Sequence, residues 1–172
     1  KFIFASTGSA EGMASPYSIS KRVAEDMLIE QEPDCTIFRF YNVIGSEGFA
    51  PTNPDGLMYN LLKAKETGEF TIFGKDYDVS PDGTCVRDYV HVNEICDALK
   101  QAIEKPSYKV ESLGHGVGYT VNEIARLFRE VNDCDFDIKY GPRRKGDTPS
   151  SVLEDVSPYM RNLYTMEQLL KV

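Results

Sequence analysis

The sequence predicts an α/β fold, and three observations carry that reading. Short apolar runs, Phe2-Ile3-Phe4-Ala5 and Cys35-Thr36-Ile37-Phe38-Arg39-Phe40 among them, have the length and composition of strands. Longer stretches with apolar residues at helical spacing alternate with those runs. The opening order of strand, helix and strand makes a right-handed parallel unit, because parallel neighbours need a crossover of about this length.

The elements follow in chain order. Phe2-Ile3-Phe4-Ala5 reads as a short buried strand that ends at the hydroxyls of Ser6 and Thr7. Ser15 and Pro16 suit an N-cap and a first helical residue, and the helix they open should reach about Gln31, stopped by Pro33. Residues 35–40 form the second strand, running out through Tyr41-Asn42-Val43-Ile44-Gly45. Residues 45–56 are rich in Gly, Pro and Asn and read as a loop. Leu57, Met58, Leu61 and Leu62 make a helical stripe closed by Gly68. Phe70-Thr71-Ile72-Phe73 is a strand, residues 76–83 a polar turn region, and residues 86–90 extended. Val92, Ile95, Cys96, Leu99 and Ile103 recur at helical spacing. Thr120 and Glu123 form a capping box ahead of Val121, Ile124, Leu127, Phe128 and Val131. Phe136-Asp137-Ile138-Lys139-Tyr140 alternates like a strand, and a short helix covers residues 165–170.

Composition removes several classes of function. The 172 residues suffice for one ordinary core, and 41% hydrophobic with 27% charged residues is a globular balance. A net charge of −8 with no basic stripe argues against nucleic acid. No apolar run approaches the ~20 residues that cross a bilayer, and no signal peptide is read at the start. Cys35, Cys85, Cys96 and Cys134 are irregularly spaced, and His91 and His115 lack ligand spacing. No metal site is expected, and the thiols read as reduced, in the cytoplasm.

Chemistry enters with Tyr17 and Lys21. Four residues apart, they share one helix face. A free phenol loses its proton near pH ~10, and a neighbouring ammonium favours the phenolate. Such a pair makes a general base for an alcohol proton, the partner of a nicotinamide that accepts the hydride. Taken alone, Tyr-x-x-x-Lys is more often a surface contact than a site. Its company gives it weight, since a strand ending in hydroxyls precedes the helix. A Gly-rich dinucleotide turn belongs at the start of a βαβ unit, and only sixteen residues precede Tyr17.

Further segments fall into one pattern: Pro16-Tyr17-Ser18-Ile19-Ser20-Lys21, Arg39-Phe40-Tyr41-Asn42-Val43-Ile44-Gly45, Ile72-Phe73-Gly74-Lys75-Asp76-Tyr77, the run from Asp82-Gly83-Thr84 through Arg87-Asp88-Tyr89-Val90-His91-Val92, Leu113-Gly114-His115-Gly116-Val117-Gly118, and Arg143-Arg144-Lys145-Gly146-Asp147. In this order they resemble the NAD-dependent nucleotide-sugar epimerases of the extended short-chain dehydrogenase/reductase group. The resemblance is strongest to the UDP-hexose 4-epimerases, which interconvert UDP-glucose and UDP-galactose through a 4-keto sugar.

The resemblance implies a partial Rossmann-like parallel sheet with a smaller α/β substrate-binding domain. Residues 1–50 would be the remainder of the NAD-binding domain and residues 51–172 mainly the nucleotide-sugar domain. It makes Tyr17 the base, Lys21 its activator and Thr7 a hydrogen-bond partner of the reacting hydroxyl. Tyr17, Lys21 and Tyr41 would face the NAD, whose adenosine and pyrophosphate site would lie mostly outside this chain. Asn42, Arg87, Arg144 and Asp147 would hold the UDP, with Leu57, Thr71, Ile72 and Phe73 lining its site. Two guanidiniums suit a diphosphate.

Departures from the family pattern matter too. Gly56 stands where an Asn often meets the nucleotide sugar, and Met13-Ala14-Ser15 replaces a longer loop. Ser151 takes the place of a bulky residue, which suggests room for an N-acetyl group. Gly114, Gly116 and Gly118 imitate a phosphate loop, but in this family they belong to the substrate domain. The strands at residues 2–5 and 35–40 would lack neighbours, and an unpaired apolar edge invites association. A complementary N-terminal half or self-association is therefore expected as the partner, beside the UDP-sugar. Two other readings stay open: a non-catalytic nucleotide-sugar-binding module, and an NAD-dependent dehydratase, which would need an acidic pair after Thr7.

Overall fold

The computed structural model describes residues 1–32, 34–45, 51–161 and 163–172. Pro33, the expected helix stop, and residues 46–50 of the expected loop lie outside them.

Local signals set the helix ends. In α1 (Pro16–Gln31) the Ser15 side chain accepts from the Ser18 amide while Ser18 reaches back, and proline opens the helix. In α4 (Val121–Val131) Thr120 and Glu123 close the expected capping box. In α2 (Leu57–Thr67) the chain leaves through Gly68 at φ 78°, where a side chain would be strained. The remaining helices are α3 (Val92–Glu104) and α5 (Met166–Leu170).

Among the described residues the strands form three sheets. β1 (Phe2–Thr7), β2 (Cys35–Phe40) and β6 (Val110–Leu113) run parallel in the order β1-β2-β6. In the second sheet, β5 (Val86–His91) pairs in parallel with β3 (Asn42–Ile44) and β9 (Ser150–Ser151), and antiparallel with β7 (Gly118–Thr120). β4 (Glu69–Phe73) and β8 (Asp137–Gly141) make a parallel pair.

Three expectations are corrected. β1 is not a buried strand but an edge, with Phe2 48% exposed. β2 does not lack neighbours, because β6 arrives from 70 residues downstream to flank its other side. The segment after β2 is not its tail: Asn42–Ile44 turns away to pair with β5. β6, from beyond residue 50, completes the sheet that β1 and β2 begin.

Two apolar cores flank β5. Tyr89 points into one with Leu61, Phe70, Ile72, Ile124, Phe128 and Leu169, and Val90 into the other with Phe38, Ile95, Ala98 and Leu113. Adjacent strand residues face opposite ways, so a single strand serves as the wall between them. Residues at the C-terminal end of β2 and along β5 are thus held against packed cores.

The turn into β5 depends on one glycine. Gly83 has φ 75°, and a Cβ there would sit 2.2 Å from the Lys75 carbonyl oxygen, a backbone atom. Its own carbonyl accepts from the Tyr77 amide at 2.9 Å. Gly83→Ala is expected to cost about 2–3 kcal/mol, read as a lowered midpoint in urea unfolding.

Candidate active site

Two clefts meet above the ends of the central strands. The first, about 430 Å³, lies among β3, β4, β5 and the start of α2. The second, about 530 Å³, lies among the end of β1, the start of α1 and residues 146–152. Asn42, Arg87 and Asp147 line both.

Each shared residue is positioned from a strand or by its neighbour. Asn42 opens β3 and donates its side-chain N–H to the Asp88 carbonyl at 3.0 Å. Arg87 on β5 donates to Val86 O at 2.8 Å and forms an ion pair with Asp147, although 60 residues separate them. Arg87 thus pairs with Asp147 rather than with its neighbour Asp88. Arg144 lies in the first cleft with its guanidinium carbon 4.3 Å from the Phe73 ring centroid and makes no ion pair among the described residues. Arg143, next in sequence, turns out to solvent, bound to Asp76 and stacked on Tyr77.

The expected substrate residues gather here. Leu57, Thr71, Ile72 and Phe73 line the first cleft with Arg144, and Ser151 lines the second. Gly56 also lines the first, and two amides near it, Asn53 and Asn60, are cleft residues the sequence did not single out. Cys85 is another, its thiol pushed up mainly by burial.

The expected proton-handling groups divide. Thr7 lines the second cleft, where its Oγ1 lies 3.1 Å from Ser9 Oγ. Ser6 points inward to the Glu25 carboxylate and takes no part in the cleft. Tyr17 and Lys21 line neither cleft. Tyr17 is 58% exposed, and Lys21 Nζ donates to Ala5 O at 2.8 Å, 6.0 Å from the Tyr17 ring centroid. Ser15 and Ser18, on either side of Tyr17, do line the second cleft. Tyr41 lines it as well, its phenol pushed up by burial and by the carboxylates of Glu11 and Asp88.

A buried polar network holds this end of α1, and sequence reasoning missed it. Glu25 is fully buried, and Arg39 grips it through Nε at 3.0 Å and Nη2 at 2.6 Å. Burial would raise the Glu25 pKa, but the Arg39 and Ser6 hydrogen bonds outweigh it and hold the carboxyl below its usual range. The signal was present: Glu25 lies one turn beyond Lys21 on the same helix face.

The glycine-rich stretch after β6 turns two of its amides to the protein itself. The amides of His115 and Gly116 each donate to the buried Asp88 carboxylate at 2.8 Å. Burial pushes the Asp88 carboxyl up, partly offset by these N–H donors. No group of three or more His, Cys, Asp or Glu side chains arranged to hold a metal occurs among the described residues. No described helix is long and apolar enough to cross a membrane.

Residues 3–114 match the NAD dependent epimerase/dehydratase family. A UDP-glucose 4-epimerase of Yersinia pestis is 32% identical over 154 residues, covering 80% of this chain and 45% of that protein. The solved UDP-glucose 4-epimerase of Thermotoga maritima with UDP-glucose superposes with a TM-score of 0.83 at 31% identity, over 99% of this chain and 60% of that one. The enzyme of Stenotrophomonas maltophila with bound NAD and formylated UDP-arabinopyranose gives 0.84 at 26% identity, over 98% and 60%. The chain thus spans about half the length of the curated relatives it matches.

Proposed function

Because the chain belongs to the NAD dependent epimerase/dehydratase family, we propose that it forms the nucleotide-sugar-binding part of an NAD-dependent UDP-hexose 4-epimerase. The observation that carries this reading is the junction of the two clefts at Asn42, Arg87 and Asp147. The first cleft takes the UDP, with Arg87 and Arg144 on the diphosphate and Thr71, Ile72, Phe73 and Leu57 along its wall. Two guanidiniums match a diphosphate in charge and in geometry. The second cleft takes the sugar, where Thr7 and Ser151 supply hydroxyls.

Tyr17 removes the 4-hydroxyl proton and later returns it, with Lys21 as the cation beside it and Thr7 as a hydrogen-bond partner of the reacting oxygen. Tyr17 lies in the capped first turn of α1, between Ser15 and Ser18, and it is those two serines that line the second cleft. The donor set fits the nicotinamide-ribose end of NAD: an exposed phenol, and an ammonium with one of its three N–H groups engaged by Ala5 O. Tyr41, in the lining of the second cleft, would face the NAD with them. No Gly-x-Gly-x-x-Gly turn for the pyrophosphate occurs in this sequence. Held by Tyr17, Lys21 and Tyr41, NAD would supply a reversible hydride acceptor for C4 of the sugar.

The free edge of β1 and the outward apolar side chains of α1, Ile19, Val23 and Met27, are where further protein joins, a complementary cofactor-binding half or a second copy. A cytoplasmic setting suits the four free thiols.

Calorimetric titration with UDP tests the nucleotide half directly. Saturable binding is expected, competed by UDP-galactose, and competition by UDP-N-acetylgalactosamine as well would support room at Ser151. An absence of heat with millimolar UDP removes the reading.

A further inference from the structure

The second cleft carries a charge that the chemistry above does not use. Its lining includes the hydroxyls of Thr7, Ser9 and Ser15 and, among them, the carboxylate of Glu11. Glu11 Oε1 accepts from Arg39 Nη1 at 2.6 Å. That guanidinium is already committed to Glu25, whose carboxylate is fully buried and takes both Nε and Nη2. One guanidinium in contact with two carboxylates leaves a negative charge in excess, since Arg22, the other cation acting on Glu25, is itself paired with Asp26. The excess resides at Glu11, whose side chain is 58% exposed, because Glu25 has no access to water.

Nothing else in the lining cancels it. The other charged residues there are Arg87 and Asp147, which pair with each other. The phenol of Tyr41, on the same wall, responds to this field: after burial, the Glu11 charge is the next cause raising it, and Arg39 opposes only in part.

Resting on the reading of this cleft as the sugar site, we infer that Glu11 is a specificity-determining residue that admits uncharged sugars and turns away sugars bearing a carboxylate, such as uronic acids. A neutral sugar meets an acceptor to which its hydroxyls donate. A uronate brings a second negative charge to the same space. Two such charges about 6 Å apart, at an effective dielectric near ~40, weaken binding roughly tenfold.

The test is competition titration of the 172-residue chain at low ionic strength with UDP, UDP-glucose and UDP-glucuronate. The wild-type chain is expected to bind UDP-glucuronate about tenfold more weakly than UDP-glucose. Glu11→Gln should bring the two within about twofold, Glu11→Asp should keep the discrimination, and roughly 0.5 M salt should shrink it in the wild type. Equal affinities in the wild type, or a tenfold gap that survives Glu11→Gln, would overturn the inference while UDP binding still upheld the nucleotide cleft. Failure to bind UDP would remove both together, so the two failures are told apart.

Discussion

Arg39→Met is expected to lower the free energy of unfolding by about 3–5 kcal/mol at neutral pH, because it strands the carboxylate of Glu25 in a fully buried position with only Ser6 as partner. The loss should depend on pH, with a sign fixed by the carboxylate. In the wild type the Glu25 pKa is held below its ordinary value. Its contribution is therefore fully present above the unfolded-state value near ~4.3 and fades as pH falls through the lowered folded-state value. In the variant only Ser6 and the more distant charge of Arg22 oppose burial, so the Glu25 pKa rises and the variant loses stability as pH rises. Urea midpoints at about pH 4.5 and 7.5 should accordingly show a gap that widens with pH. The double variant Glu25→Leu/Arg39→Met should recover most of the loss, since removing both charges leaves no buried charge unpaired and only the Ser6 hydroxyl without its partner. A gap independent of pH would mean that lost packing of Arg39, and not the stranded charge, sets the cost.

This network matters to the site because of how α1 is seated. Its only buried residues are Ser18 and Glu25, both polar, while Ile19, Val23, Met27 and Ile29 face outward. No apolar stripe fixes the rotation of the helix on β1 and β2. The ion pair with Arg39, the bond to Ser6 and the Lys21 contact to Ala5 O do so instead. They set where Tyr17 stands relative to Thr7.

Arg87→Ala is expected to weaken UDP binding about 100-fold, roughly 2.7 kcal/mol. The substitution removes a guanidinium where the two clefts join and leaves the Asp147 carboxylate, its ion-pair partner, facing the diphosphate without compensation. Arg144→Ala should cost less, about tenfold, because it strands no carboxylate. Arg87→Lys should restore only part of the affinity, since an ammonium lacks the fork that engages Asp147 and a phosphate oxygen together. Arg143→Ala is the control and should shift affinity less than about twofold, as Arg143 is tied to Asp76 outside both clefts. Calorimetry with UDP reads all four, and equal losses from Arg87 and Arg143 variants would show that only net charge matters.

Most of what the sequence made legible is local. The cap at Ser15, the box at Thr120 and Glu123, and the stop at Gly68 all fall where their spacing put them. Hydrogen bonds within one turn depend on neighbours three or four residues away, which a single sequence displays. Leu57, Thr71, Ile72, Phe73, Arg87, Arg144 and Asp147 in the first cleft were legible through resemblance to a family pattern, whereas Asn53, Asn60 and Cys85 were not.

The rest depended on partners that are distant along the chain. β3, β6, β7 and β9 are two to four residues long, too short to show a period, and exist because β2 or β5 offers them an edge. The pairing of Arg87 with Asp147 spans 60 residues, and that of Arg39 with Glu25 closes only when α1 lies on the sheet. By itself, then, the sequence determined the α/β class, the helix boundaries and the residue types available for chemistry. Only the tertiary structure decided that Ser6 faces a buried carboxylate while Thr7 faces a cleft, that Arg87 has an ion-pair partner while Arg144 has none among the described residues, and that Glu11 lines the same cleft as Thr7. Backbone preferences and capping act over one turn of chain, whereas burial and ion pairing are properties of neighbours brought together through space.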